Sequence, residues 1–514
     1  MPLELTPESF DVLADRVCRA ASGYLADLDG RASFPATSGP VTAELFSRPL
    51  PEKGVGSAAF DDMTAIADHS RPGNARFFAY VLGSGEPVAA IADLYASVLN
   101  QNVTAWRSAP AAVTIERTVL RWLAQAVGCE GFAGSLVSGG SSSNLMGLAM
   151  AREARAPGNE EGARPCAVYA SAEVHMSVAK ALAVLGVGRA NLRLIPVDEA
   201  FRMRTDALGA AIEQDRRAGL PAIAVVATAG TTNTGAVDPL GEIARIAQAH
   251  GLWLHVDGAY GGLAALAAPE LFAGLARADS ISLDAHKWLY QPLDCAALLY
   301  KDPAAARRAF TYTGEYAKSF SDDPVEGFAF FEESLELSRR FRALKLWLSL
   351  RYHGVGQFRA AIQRDLDHAQ LLARLIAAEP ALELLAPVQL NTVCFRWMQA
   401  PEGKLDRRNA QIMREVLRRG RVCLSNANVR GAFALRACIM NHRTTDADIA
   451  AVVEEVLAAA AATALPPRTN RFQMQAKTED MKAIDFAIAR RWVIRPAGLA
   501  GVQPGWPVGE RVLR

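Results

Sequence analysis

Ala278-Asp-Ser-Ile-Ser-Leu-Asp-Ala-His-Lys-Trp288 is the stretch from which the rest of the chain can be read. Ile281, Ser282 and Leu283 read as the end of a short buried strand. Asp284, His286 and Lys287 then follow in quick succession before the apolar Trp288-Leu289-Tyr290. A lysine flanked by His and Trp at a strand end is badly placed for solvent. Burial lowers an amine's pKa and keeps it nucleophilic, and a desolvated lysine forms Schiff bases with carbonyls. Upstream, Leu254-His-Val-Asp-Gly-Ala-Tyr260 puts Asp257 at the end of a strand over 252–256.

An acid at one strand end and a lysine 30 residues later at the end of the next suit pyridoxal phosphate. That cofactor needs a carbonyl-reactive amine and an acid that keeps its pyridine nitrogen protonated, so that the ring can act as an electron sink. The continuous apolar run Ala222–Thr228 reads as a strand buried on both faces of a parallel sheet, and it delivers Thr228-Ala-Gly-Thr-Thr-Asn-Thr-Gly235 at its end. Thr228 suits a cofactor wall, although a plain strand–helix turn would look similar. Strands 222–228, 252–256 and 281–283 alternate with helical stretches such as 240–250, an α/β pattern with its chemistry at strand ends.

His255-Val-Asp257-x-Ala259 followed by Asp284-x-His-Lys-Trp288 resembles the group II pyridoxal-phosphate-dependent decarboxylases, the aromatic L-amino acid decarboxylases being the nearest branch. The similarity runs from about Leu5 to about Ala462. It implies fold type I: an α/β fold with a mostly parallel central sheet, helices on both faces and a small C-terminal α+β domain. By the same resemblance Lys287 carries the cofactor, Asp257 meets its ring nitrogen, and Ala259, Asp284 and His286 lie beside it.

Leu136-Val-Ser-Gly-Gly-Ser-Ser-Ser-Asn-Leu145 opens a helix running to about Ala154. Backbone N–H groups and the positive dipole end make such a start an anion site, although a Gly/Ser turn alone would only be flexible. The resemblance assigns phosphate contact to Gly140 and Ser141, with Ser142 close by. In Ser171-Ala-Glu-Val-His-Met-Ser177 it makes His175 the residue that stacks on the ring.

For the substrate side chain, Asn74-Ala-Arg-Phe-Phe-Ala-Tyr-Val-Leu-Gly83 reads equally as plain core or, by resemblance, as pocket at Tyr80, Val81, Leu82 and Gly83. In Asn100-Gln-Asn-Val-Thr-Ala-Trp106, Trp106 fits the family pattern. Asn102 and Thr104 depart from it, standing where aromatic decarboxylases carry bulky apolar groups contributed across the dimer interface. Ser338 opens the stretch Ser338-Arg-Arg-Phe-Arg-Ala-Leu-Lys-Leu-Trp347, read as a helix to about Tyr352; Ser at that place accompanies phenolic substrates in the plant branch. Arg436 is a candidate for the substrate carboxylate. Tyr316, 29 residues beyond Lys287, falls where the family carries the tyrosine that completes decarboxylation. Its hydroxyl favours that outcome over oxidation to an aldehyde.

The chain has 514 residues and a formal charge of +1, with room for two or three domains. It shows no basic stripe interleaved with aromatics, so nothing favours nucleic acid. Its seven cysteines are scattered without a metal-site spacing, and their odd number argues against a disulfide framework. Neither a signal peptide nor a membrane-spanning run is expected, and a cytoplasmic setting follows. Residues 1–90 read as a helical arm, 91–364 as the cofactor domain, 365–465 as the small domain and 466–514 as an extension of unreadable role. The Pro/Ser/Gly-punctuated stretch 35–51 reads as a loop or extended crossing segment. The resemblance implies a homodimer with the arm lying across the partner. The expected reaction is decarboxylation of an L-amino acid, an aromatic one before an acidic or short polar one, with an aldehyde-forming variant as the rival.

Overall fold

In a computed structural model of the chain, residues 3–312 and 323–463 are described. The central sheet is built from β1 (Ala133–Val137), β2 (Ala167–Ser171), β3 (Leu192–Ile195), β4 (Ala222–Thr228), β5 (Trp253–Asp257), β6 (Ser280–Asp284) and β7 (Ala296–Tyr300). They lie in the order β1-β7-β6-β5-β4-β2-β3, with only β7 antiparallel to its neighbours. Alternation along the strands feeds two cores. Val225 and Ala227 of β4 enter one and Val226 the other, so both faces are covered, as a parallel sheet requires. This is the mostly parallel α/β architecture expected from the spacing of the apolar runs.

A second, antiparallel sheet follows, formed by β8 (Leu382–Leu384), β9 (Thr392–Trp397), β10 (Ser425–Val429) and β11 (Ala432–Cys438) in the order β10-β11-β9-β8. Phe78 is buried in its core, and its N–H and C=O bond to Cys423 and Cys438. The residues just before Tyr80 therefore pack with the C-terminal sheet, and two of the aromatics in 74–83 are core.

Local structure departs from the sequence reading at three places. The stretch 35–51 contains the helix Gly39–Phe46, whose start is Ser38, accepting from the Val41 N–H, followed by a proline in the first turn. The punctuation that reads as a loop is that helix's N-terminal signal. Ser338–Arg342 is not helical, and the helix is Ala343–His353. Arg339 is drawn inward instead, its backbone N–H donating to Asn102 Oδ1 and its guanidinium to the carbonyls of Val103 and Leu136. The boundary read at 364/365 falls inside one helix, Val355–Ala378, which begins immediately after Gly354, whose φ of 74° lets one helix end and the next begin. No helix among the described residues is long and apolar enough to cross a membrane.

Candidate active site

Three strand ends of the central sheet meet at one cleft. The registers Thr228↔Asp257 and Asp257↔Ser282 set the ends of β4, β5 and β6 side by side, and a cavity of about 440 Å³ opens over them. Asp257 is buried there. Its Oδ2 accepts from Asn144 Nδ2 at 2.9 Å, and its Oδ1 from Ser282 Oγ at 3.1 Å and the Ala259 N–H at 3.2 Å. Three donors thus fix the carboxylate at the cleft wall.

After β6 the chain turns into the short helix Ala285–Trp288, which presents Lys287. Its Nζ lies 2.9 Å from Asp284 Oδ2, and the side chain is 18% exposed. The lysine is therefore not enclosed, as its apolar flanks suggest, but opens into the cleft; Trp288 is the residue that is enclosed, stacked on Tyr260. His286 Nδ1 donates to the Cys295 carbonyl at 2.9 Å while Nε2 lies 3.4 Å from Asp284 Oδ2. Burial holds this imidazole below its ordinary pKa, against the pull of Asp284.

The helix Gly140–Arg155 starts at the cleft, and its first residues line it. The Ser142 and Ser143 N–H groups donate to the Gly139 carbonyl, and ahead of them a helix start carries N–H groups without intrahelical partners. A side chain at 140 would not fit: its Cβ would stand 2.7 Å from Ala259 Cβ and 3.1 Å from Asp284 Oδ2. Ser138 and Ser142 bond through their hydroxyls at 2.9 Å, and Ser141 lines the same wall. His175 caps the helix Met176–Val184, its Nδ1 accepting from the Ser177 N–H at 3.3 Å and lying 2.8 Å from Ser177 Oγ. Burial lowers its pKa, with the Asp257 charge opposing and the Lys287 charge assisting, so the ring is neutral near pH 7.

These residues fit pyridoxal phosphate. Asp284 Oδ1 and Thr228 Oγ1 are buried without a hydrogen-bond partner in the protein, which a ligand at the cleft would supply. A side-chain-free helix start suits a phosphate, and the amine and the fixed carboxylate line the same cavity.

Of the residues expected at the substrate side, Tyr80, Val81 and Arg436 line the cavity. Tyr80 takes a φ of 65°, a conformation a tyrosine seldom adopts. Arg436 is buried and aimed by two bonds, Nη1 to the Thr232 carbonyl at 2.7 Å and Nε to Ser425 Oγ at 2.9 Å. Leu82 faces a separate cavity with Phe77 and Leu293. Gly83 is required by packing, since a Cβ there would meet the carbonyls of Lys287 and His286 at 2.5 and 2.6 Å. Asn102, Thr104 and Ser338 do not reach this chain's cleft. Asn102 is spent on the Arg339 N–H, the Thr104 carbonyl accepts from Phe330, and Ser338 is exposed beside them. Tyr316 lies outside the described residues.

Sequence reading missed Asn144 and Ser282 as partners of Asp257. Asn144 carries a legible signal: it stands four residues after Gly140 and so shares its helix face. Ser282 was read only as strand, although it lies two positions before Asp284 and so faces the same side of β6.

The family model described as the pyridoxal-dependent decarboxylase conserved domain matches residues 61–398. An aromatic-L-amino-acid decarboxylase of Bacillus atrophaeus is 37% identical over 391 residues, covering 75% of this chain and 81% of the relative. A phenylacetaldehyde synthase of Petunia hybrida is 31% identical, covering 71% and 76%. Among solved structures, Oryza sativa TDC with PLP and tryptamine superposes with a TM-score of 0.84 at 27% identity, covering 90% of this chain and 99% of that one.

Proposed function

Since the chain belongs to the pyridoxal-dependent decarboxylase family, we propose that it converts an aromatic L-amino acid to the corresponding amine and carbon dioxide. The observation that carries this reading is the convergence of Lys287, Asp257, His175 and the Gly140 helix start on one cavity. Lys287 would hold the cofactor covalently, the first turn of the helix Gly140–Arg155 its phosphate, and Asp257 its protonated ring nitrogen. Bound there, pyridoxal phosphate supplies a ring that takes up the electron pair left on Cα when carbon dioxide departs.

The protein's own share is orientation and charge. Asn144, Ser282 and the Ala259 N–H keep Asp257 from turning away. His175 offers a neutral ring to the cleft. The guanidinium of Arg436, with two nitrogens already anchored, presents its remaining N–H groups to an anion at the cavity wall, which suits the substrate carboxylate. Overall a proton takes the place of the carboxylate at Cα.

The aromatic substrate rests on the Bacillus and Oryza relatives. The Petunia relative supports one rival, decarboxylation with oxidation to an aldehyde. A homodimer accounts for the apolar side chains left exposed on the helices Pro7–Asp27 and Pro87–Leu99, and a reducing cytoplasm for free cysteines that are buried except at Cys18.

A substrate panel tests the reading. With phenylalanine, tyrosine, DOPA and tryptophan, carbon dioxide and amine should form one to one, without ammonia or peroxide. Lys287→Ala should lose turnover together with the borohydride-reducible yellow chromophore. Stoichiometric peroxide and ammonia would make it an aldehyde synthase, and turnover confined to an acidic amino acid would overturn the aromatic reading.

A further inference from the structure

Beneath the cleft, a chain of buried polar groups runs from Trp253 to His175. Trp253 Nε1 donates to Ser280 Oγ at 2.8 Å, and Ser280 Oγ lies 2.8 Å from His255 Nδ1. His255 Nε2 lies 2.9 Å from Asn144 Oδ1. Asn144 Nδ2 reaches both Asp257 Oδ2 and Ser177 Oγ at 2.9 Å, and Ser177 Oγ stands 2.8 Å from His175 Nδ1.

The direction of every proton follows from chemistry. A carboxylate only accepts, so Asn144 must face Asp257 with its nitrogen, which turns its oxygen toward His255. His255 must then donate from Nε2. Complete burial pushes its pKa down to about 4, so it is neutral and its Nδ1 carries no proton. Ser280 fills that acceptor with its hydroxyl while accepting from the indole. At the other end Ser177 accepts from Asn144 and donates to His175, whose neutral ring therefore keeps its proton on Nε2.

A second observation shows that the ring of His255 is accommodated deliberately. On the helix Gly140–Arg155, three residues after Asn144, stands Gly147. A Cβ there would lie 2.6 Å from both Cε1 and Nδ1 of the imidazole, and 3.2 Å from Ser280 Oγ. Such a contact is far inside van der Waals range. The helix gives up a side chain where the histidine passes under it.

We infer that His255 and Asn144 are positioning residues: a one-way hydrogen-bond chain, anchored at Ser280 and Trp253, through which they hold Asp257 in place and set His175 as its Nε2–H tautomer. The consequence for rate rests on the cofactor placement proposed above; the proton assignments do not.

The test is ¹⁵N NMR of the full-length holoenzyme, with histidine labelled in one sample and the pyridine nitrogen of pyridoxal phosphate in another. In the wild type, His255 and His175 should each show a protonated Nε2 and a bare Nδ1. An Nδ1–H form of either overturns the chain, whatever the variants do. In His255→Leu, Asn144 Oδ1 loses its donor, Asp257 shifts, and the pyridine resonance should move toward the unprotonated value. kcat should fall about 10²-fold, the scale of a small misplacement, with KM nearly unchanged. His255→Gln offers a carbonyl to Ser280 and an N–H to Asn144, and should restore both the resonance and most of kcat. If Leu and Gln behave alike, His255 only fills space and the inference fails. Should His255→Leu not fold, Asn144→Ala breaks the chain at its next member, removing the donor to Asp257 itself, and carries the same expectation. A pyridine nitrogen already unprotonated in the wild type would instead overturn the proposed role of Asp257, leaving the histidine spectra to decide the chain.

Discussion

At the scale of single residues, the groups that matter are polar side chains placed where solvent does not reach. Asp365 is the plainest outside the cleft. It is buried, accepts from the Tyr290 hydroxyl at 2.7 Å, and burial pushes its carboxyl up to about 8. An unfolded aspartate titrates near ~3.9. Between about pH 4 and about 8 the folded chain therefore holds a proton that the unfolded chain has released. Stability falls as pH rises through that window and levels off above it, by at most about 1.4 kcal/mol per unit. Asp365→Asn cannot ionise, so its melting temperature should decline less than the wild type's between pH 6 and 8. Parallel declines in the two proteins would mean that Asp365 is already charged at pH 6.

At the scale of elements, the helix Gly140–Arg155 contributes most to the cleft. Its start opens toward the strand ends, Asn144 on its first turns reaches Asp257, and Gly147 admits His255. Gly140→Ala should not weaken the helix as such, since alanine is the better helix former. The added methyl would instead press on Ala259 and Asp284. Affinity for pyridoxal phosphate, titrated into cofactor-free enzyme, should drop roughly tenfold, the worth of one hydrogen bond to an anion. Unaltered affinity would place the phosphate elsewhere. The Arg339 segment shows the opposite relation between element and sequence: a run with helical spacing is held out of a helix because its arginine is paired with buried Glu116 and two carbonyls.

At the scale of the whole molecule, apolar surface remains that one chain does not cover. The helix Pro87–Leu99 exposes Ile91 at 71% and Val98 at 56%, with Leu94 and Tyr95 between them, and the helix Pro7–Asp27 buries no residue at all. The proposed dimer would cover this exposed apolar face. Sedimentation should give twice the 55.1 kDa chain mass. Ile91→Lys combined with Tyr95→Glu should shift the equilibrium toward single chains, and a wild type that sediments as one chain would remove the dimer. Asn102, Thr104 and Ser338, which do not reach this chain's own cleft, are then candidates for the partner's.

What the amino-acid sequence determined by itself is the part of this protein that depends on short range. Apolar runs of strand length ending in Thr228, Asp257 and Asp284, and the Gly/Ser stretch before a helix, specify the parallel sheet and the chemistry at its edge, because period and end residues are local properties. The polar partners were decided only by tertiary structure. Asn144 meets Asp257 across 113 positions, His255 across 111, and Arg339 meets Glu116 across 223, separations at which no spacing rule operates. The same holds for which of Tyr80, Val81, Leu82 and Gly83 faces the cleft: the positive φ at Tyr80 and the contact of Gly83 with the Lys287 carbonyl redirect successive side chains. Buried hydrogen-bond donors must find acceptors wherever the fold brings them, and that matching is a property of the packed chain.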